Sequence, residues 1–225
     1  MKKILLLIIL ATIAFACSDK DDNDFAGNSG VFTDERDGQR YKWIRIGDQI
    51  WMAENLNATI FIDGSPITLA EDDNEWTNLS DAGYCWYNNN KIDNSQTYGA
   101  LYNGYAASNP KISPSGWHVA TSADWQRLFD FLGEDAAGKL KENGNVLWAN
   151  PNTGATNESN FNARPGGRRD SENSFNSMGR FGYWWTSSSG GGANFNCIWI
   201  TNNSSSVSTG NVQKYQGMSI RCVKD

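Results

Sequence analysis

Histidine occurs once in this chain of 225 residues, at position 118. A single imidazole cannot furnish the several His ligands of a histidine-centred zinc or iron site, so metal catalysis of that kind is excluded. Positive charge is also scarce, with 19 Lys and Arg against 25 Asp and Glu and a net charge of −6 at pH 7. A nucleic-acid binder needs a net basic face, and the one basic clump, Arg164, Arg168 and Arg169, lies among acids such as Asp170 and Glu172. Those arginines read as surface ion pairs, and no nucleic-acid partner is expected. The chain lacks a run of the roughly 20 apolar residues that span a bilayer as a helix; Ile4 to Ile13 is too short.

What that short run does resemble is a secretory signal. Lys2 and Lys3 precede it, and Ala14-Phe15-Ala16-Cys17 follows, similar to the lipobox at which a lipoprotein signal is cut and the new amino-terminal Cys is acylated. Residues 1–16 are therefore read as signal peptide and Cys17 as the lipidation site; an ordinary secretory signal is the competing reading. Loss of residues 1–16, which hold two lysines and no acid, takes the net charge from −6 to −8. Next comes Ser18-Asp19-Lys20-Asp21-Asp22-Asn23-Asp24, a run with nothing apolar to bury. Residues 17–32 are expected to form a flexible acidic tether. The run resembles the export signal that carries lipoproteins of Bacteroidetes-type bacteria to the outer leaflet of the outer membrane, which implies an anchor facing the cell exterior. A calcium loop is a poor alternative, because Asp24 stands where the turn glycine is needed and Gly30 where the bidentate Glu belongs.

Residues 33–225 are uniform enough for one domain. Ten Trp, eight Tyr and ten Phe supply a large core, while abundant Gly, Asn and Ser imply short strands and many turns, hence an α+β class rich in loops. Gly47-Asp48 between Tyr41–Ile46 and Gln49–Leu56 predicts a tight hairpin, and Asp37-Gly38 predicts a turn that brings residues 31–33 against 41–43. Thr121 and Asp124 form a capping-box pattern before the apolar face Trp125, Leu128, Phe129 and Leu132, so a helix is expected there up to Gly133. A shorter helix is expected over 135–141, and a helix or turn over 98–107. Segments 183–187, 194–201, 205–209 and 218–223 read as strands of an antiparallel meander.

A resemblance spans residues 33–225. It rests on Trp51-Met52-Ala53-Glu54-Asn55-Leu56, Cys85-Trp86-Tyr87-Asn88, Tyr98-Gly99-Ala100-Leu101-Tyr102, Pro114-Ser115-Gly116-Trp117-His118-Val119, Pro165-Gly166-Gly167-Arg168, Gly182-Tyr183-Trp184-Trp185-Thr186-Ser187 and Ser219-Ile220-Arg221-Cys222-Val223. These motifs, in this order, are similar to the Fibrobacter succinogenes major paralogous domain. The resemblance implies a C-type-lectin-like fold, shared with formylglycine-generating enzymes, with one or two helices and long irregular loops; it implies no assigned activity. With Cys17 acylated, Cys85, Cys197 and Cys222 remain, enough for one disulfide and one thiol. Stapling of the last strand, as in C-type-lectin-like folds, implies Cys85–Cys222, with Cys197–Cys222 as the alternative, although Ser113 replaces a cysteine usual in the family.

No enzyme constellation is expected. His118 lies between Trp117 and the helix and reads as a packed structural residue, while Asp72-Asp73 and Glu134-Asp135 read as solvated surface. Aromatic faces that stack on sugars and amides that satisfy hydroxyls crowd three loops, giving Trp86, Tyr87, Asn88, Trp184, Trp185, Trp199 and Asn202 as candidate ligand-binding residues. Core packing competes at each tryptophan. Calcium-type lectin signatures are missing, so contact without metal or cofactor is expected. The chain is thus expected to be a non-catalytic surface lipoprotein that binds a glycan or a host or cell-surface protein; the alternative is a structural or accessory part of an outer-membrane or adhesin assembly.

Overall fold

The computed structural model describes residues 25–170 and 174–225; Cys17, the signal segment and the acidic run before Phe25 lie outside them. The chain is mixed α+β, built on several open sheets of short strands with five α-helices among the described residues. None of those helices is long and apolar enough to cross a membrane.

Strands β1 (Ser29–Thr33), β2 (Arg40–Ile46) and β3 (Gln49–Met52) run antiparallel, and the β2–β3 turn is the predicted Gly47-Asp48 pair, with Gly47 at φ +61°. The tether expected over 17–32 is corrected here: residues 29–32 belong to β1, and Phe25 already packs on Trp43 and Trp117, at centroid distances of 5.1 and 5.7 Å. Gly30 permits this, since a Cβ there would stand 2.7 Å from the Trp43 indole nitrogen. Among the described residues the packed unit thus includes Phe25 and β1, upstream of residue 33.

Next come β4 (Thr68–Leu69), α1 (Asp73–Asn78), β5 (Gly83–Cys85), α2 (Lys91–Tyr98), β6 (Leu101–Tyr102) and α3 (Gly104–Ala107). β4, β5 and β6 make a small mixed sheet. The segment expected as one helix or turn over 98–107 is divided by β6, because Gly99 at φ +73° ends α2. Asp72 is not idle surface: its carboxylate accepts the Asn74 and Glu75 backbone N–H groups and caps α1.

After β7 (Trp117–Val119), α4 (Ser122–Leu132) has the predicted capping box between Thr121 and Asp124 and buries Trp125, Leu128 and Leu132; α5 (Ala136–Leu140) follows. Residues 142–167 then run without helix or strand, a long irregular loop. β8 (Arg168–Arg169) pairs with β9 (Phe175–Asn176). β10 (Phe181–Gly191), β11 (Asn194–Thr201) and β12 (Ser208–Gln213) form the expected meander, its third strand displaced toward the C-terminus. The segment 218–223 meets it only through one parallel bridge, Ser219 to Trp184, and does not continue as its fourth strand. Instead β13 (Cys222–Lys224) inserts between β3 and β7, closing a five-stranded sheet β1-β2-β3-β13-β7.

Period-two alternation along β10 divides the core. Trp185 points into one apolar cluster with Tyr41, Trp43 and Tyr102, whereas its neighbour Trp184 points into the other with Trp51, Trp125 and Phe161. Lys141 and Arg221 are buried with them and fully partnered. The Lys141 ammonium donates to the carbonyls of Thr153, Thr201 and Ser204 at 2.7, 3.0 and 2.8 Å, tying two loops to the end of α5.

Candidate functional site

The sequence-predicted ligand residues are scattered by the fold, and most are structural. Trp86, Trp184 and Trp185 are buried at 3%, 1% and 0% exposure, so the expectation that they meet a ligand is corrected. Each indole N–H is spent inside: on the Asn57 and Asn55 side-chain oxygens at 3.0 and 2.9 Å and on the Tyr102 carbonyl at 2.7 Å. Asn202 uses its amide to hold the Ala149 and Asn150 carbonyls. Asn88 is exposed in a left-handed turn at φ 53°, and Tyr87 is half-buried edge-on to Phe175, 5.4 Å between centroids.

The implied Cys85–Cys222 disulfide is corrected too, and so is the Cys197–Cys222 alternative: all three cysteines are buried free thiols. β5 carries Cys85 into a small cluster with Trp76 and Leu101, while Cys222 and Cys197 sit in the main core from different sheets. Burial pushes the Cys85 and Cys222 thiols up to about 12 and Cys197 to about 11, which disfavours the thiolate.

Trp199 remains. Of ten tryptophans nine are buried and Trp199 alone is half-buried. Register explains why it matters: Tyr183, Trp199 and Ser208 are cross-strand partners, as are Phe181 and Thr201, so Phe181, Tyr183 and Trp199 share one face of the β10–β11–β12 sheet. Phe181 and Tyr183 stack at 5.5 Å and 4°. The Trp199 indole lies against Gly210, where a Cβ would approach its ring at 3.0 Å, and its N–H donates to no group among the described residues. Arg168 stacks its guanidinium 4.8 Å from the Tyr183 centroid. Burial raises the Tyr183 phenol while Arg168 works against that shift. An aromatic strip with a cation at its edge results. Phe181, Tyr183 and Arg168 were absent from the predicted site; alternation placed 181, 183 and 185 on one side, but only the strand register shows that Trp199 joins them.

The arginine clump makes the expected ion pairs only in part: Arg164 pairs with Glu142 and Arg169, from a buried position, with Asp73, while Arg168 pairs with no carboxylate among the described residues. Arg169 is fully buried between Trp76 and Phe175, and Arg164 pairs with Glu142 at 2.9 Å. His118 is less packed than expected. It bridges Asp124 through Nε2 at 3.0 Å and Asp225 through Nδ1 at 2.6 Å, at a side-chain exposure of 39%. The Asp124 hydrogen bond leads in raising its pKa, burial works the other way, and Asp225 adds to the rise. A cleft of about 430 Å³ lies beside it, lined by Ile62, Pro110, Pro114, Trp117 and Ser187.

No curated protein and no solved structure matches the chain. The family model of the Fibrobacter succinogenes major domain matches residues 44–224, from within β2 to the end of β13, and the chain belongs to that family.

Proposed function

We propose that this protein is a lipoprotein held in the outer membrane by acylation of Cys17, facing the exterior, whose domain binds a glycan without transforming it. The carrying observation is that Trp199 is the one tryptophan left half-buried, flanked on its sheet face by the stacked Phe181–Tyr183 pair and with its indole N–H unspent. Sugar rings present C–H faces to such a surface, and hydroxyls take up N–H donors at its edge. The groups that would serve chemistry are otherwise engaged. Both ring nitrogens of His118 are held by carboxylates, and the three thiols are buried in their protonated form.

Titration of the full chain, purified in mild detergent, against a panel of plant and mucosal oligosaccharides tests this. Saturable change in tryptophan emission, resistant to a metal chelator and abolished in Trp199→Ala, is the expected result. A flat response across the panel by emission and by calorimetry would sink the glycan reading.

A further inference from the structure

β8 presents two successive arginines to opposite sides. Arg169 turns inward, where it donates to the Ala70 carbonyl at 2.8 Å and to Asp73 at 2.6 Å. Arg168 turns to the aromatic strip and is half-buried there. Among the described residues its only hydrogen bond runs from Nη1 to the Gln216 side-chain oxygen at 3.3 Å, and neither the enclosed Nε nor Nη2 has a partner there. No carboxylate of the described residues pairs with it. Other arginines drawn into the fold are provided for: Arg36 by Asp34 at 2.7 Å, Arg164 by Glu142 at 2.9 Å, and Arg221 by Asn55 and three backbone carbonyls. A guanidinium is a planar fork matched to carboxylate geometry, and stacking on Tyr183 fixes its plane.

We infer that Arg168, with Tyr183 and Trp199, forms a subsite for an acidic sugar of the uronic-acid class, the ring resting on Trp199 and its carboxylate meeting Arg168. The assignment rests on the glycan-binding reading and narrows it. Both Arg168 and Trp199 adjoin Tyr183, one over its ring and one as its cross-strand partner. The net charge, −6 for the whole chain and −8 without residues 1–16, opposes approach of a polyanion, but beyond about 8 Å that field is screened at physiological salt, so recognition operates at contact.

The test compares one oligogalacturonide, its methyl ester and a neutral oligosaccharide of equal length, titrated by calorimetry against the full chain at 0.15 M salt. The free acid is expected to bind at least tenfold tighter than the ester. Arg168→Gln should bring the acid to the level of the ester, and Arg168→Lys should restore only part of the difference. Equal binding of acid and ester by the unaltered protein would overturn the inference, and needs no variant to fold. So would an undiminished preference in Arg168→Gln, or equal binding of an oligoglutamate peptide. Binding of neutral sugar through Trp199 alone would keep the broader reading while removing this one; no binding by any sugar removes both.

Discussion

The Asn55 side-chain oxygen accepts two hydrogen bonds from the C-terminal part of the chain, one from Arg221 Nε at 2.6 Å and one from the Trp184 indole at 2.9 Å. Its amide nitrogen donates to the Tyr98 carbonyl and the Ser219 hydroxyl. A single buried amide thus joins the loop after β3, the end of α2, β10 and the approach to β13. Asn55→Ala would leave a buried guanidinium and a buried indole short of an acceptor. The expected loss is about 3 kcal/mol or more in urea unfolding, since an orphaned buried donor costs roughly 1–3 kcal/mol and more when charged.

Lys141→Met keeps the aliphatic stem but strands three carbonyls, those of Thr153, Thr201 and Ser204. A destabilisation of about 2–4 kcal/mol is expected, from the cost of leaving buried acceptors unmet. Amide exchange should quicken first in the loops around 153 and 201–204; uniform exchange across the domain would contradict the tie assigned to this lysine.

The His118 pairs predict a pH dependence. Asp124 and Asp225 raise the folded-state pKa above the unfolded value of about 6.5, so the stabilisation is complete below about pH 6.5 and fades as pH rises through the folded value. Asp124, where burial is outweighed by hydrogen bonds from His118 and Thr121, sits at about 2, and its contribution is lost only as pH falls from about 4 toward that value. Stability measured from pH 5 to 9 should therefore decline on the alkaline side in the unaltered protein and be flatter in His118→Gln. Parallel profiles would remove His118 as the cause.

Thiol titration distinguishes buried cysteines from a disulfide. With Cys17 replaced by Ser, an aromatic disulfide reagent should modify none of Cys85, Cys197 and Cys222 in the native chain and all three in denaturant, without prior reduction. Only one thiol in denaturant would indicate a bridge.

Gly210→Ala would push a methyl group toward the Trp199 ring, to about the 3.0 Å the backbone geometry gives. Acrylamide quenching of tryptophan should increase, since Trp199 is the indole nearest solvent, with thermal stability nearly unchanged. Unaltered quenching would mean that the ring does not rest on Gly210.

Local patterns in the sequence determined the β2–β3 hairpin, the capped helix α4 and the strands β10 and β11, because a two-residue Gly-Asp turn, a Thr–Asp capping box and apolar periodicity act over a few residues. The ordered motifs also identified the family. Four matters were decided only by tertiary structure. Whether an aromatic residue is core or surface depends on which face another element covers: Trp184 and Trp185 are covered on both sides of β10, and Trp199, one strand away, is not. Cysteine pairing depends on distances between sheets that spacing along the chain does not encode. The acidic run reads as tether up to residue 32, yet β1 forms because it pairs with β2, where Gly30 stands opposite Trp43 and leaves room for its ring. The placement of Arg168 against Tyr183, beside Trp199, is likewise a product of strand register, in which residues far apart in the chain become neighbours only after the sheets have assembled.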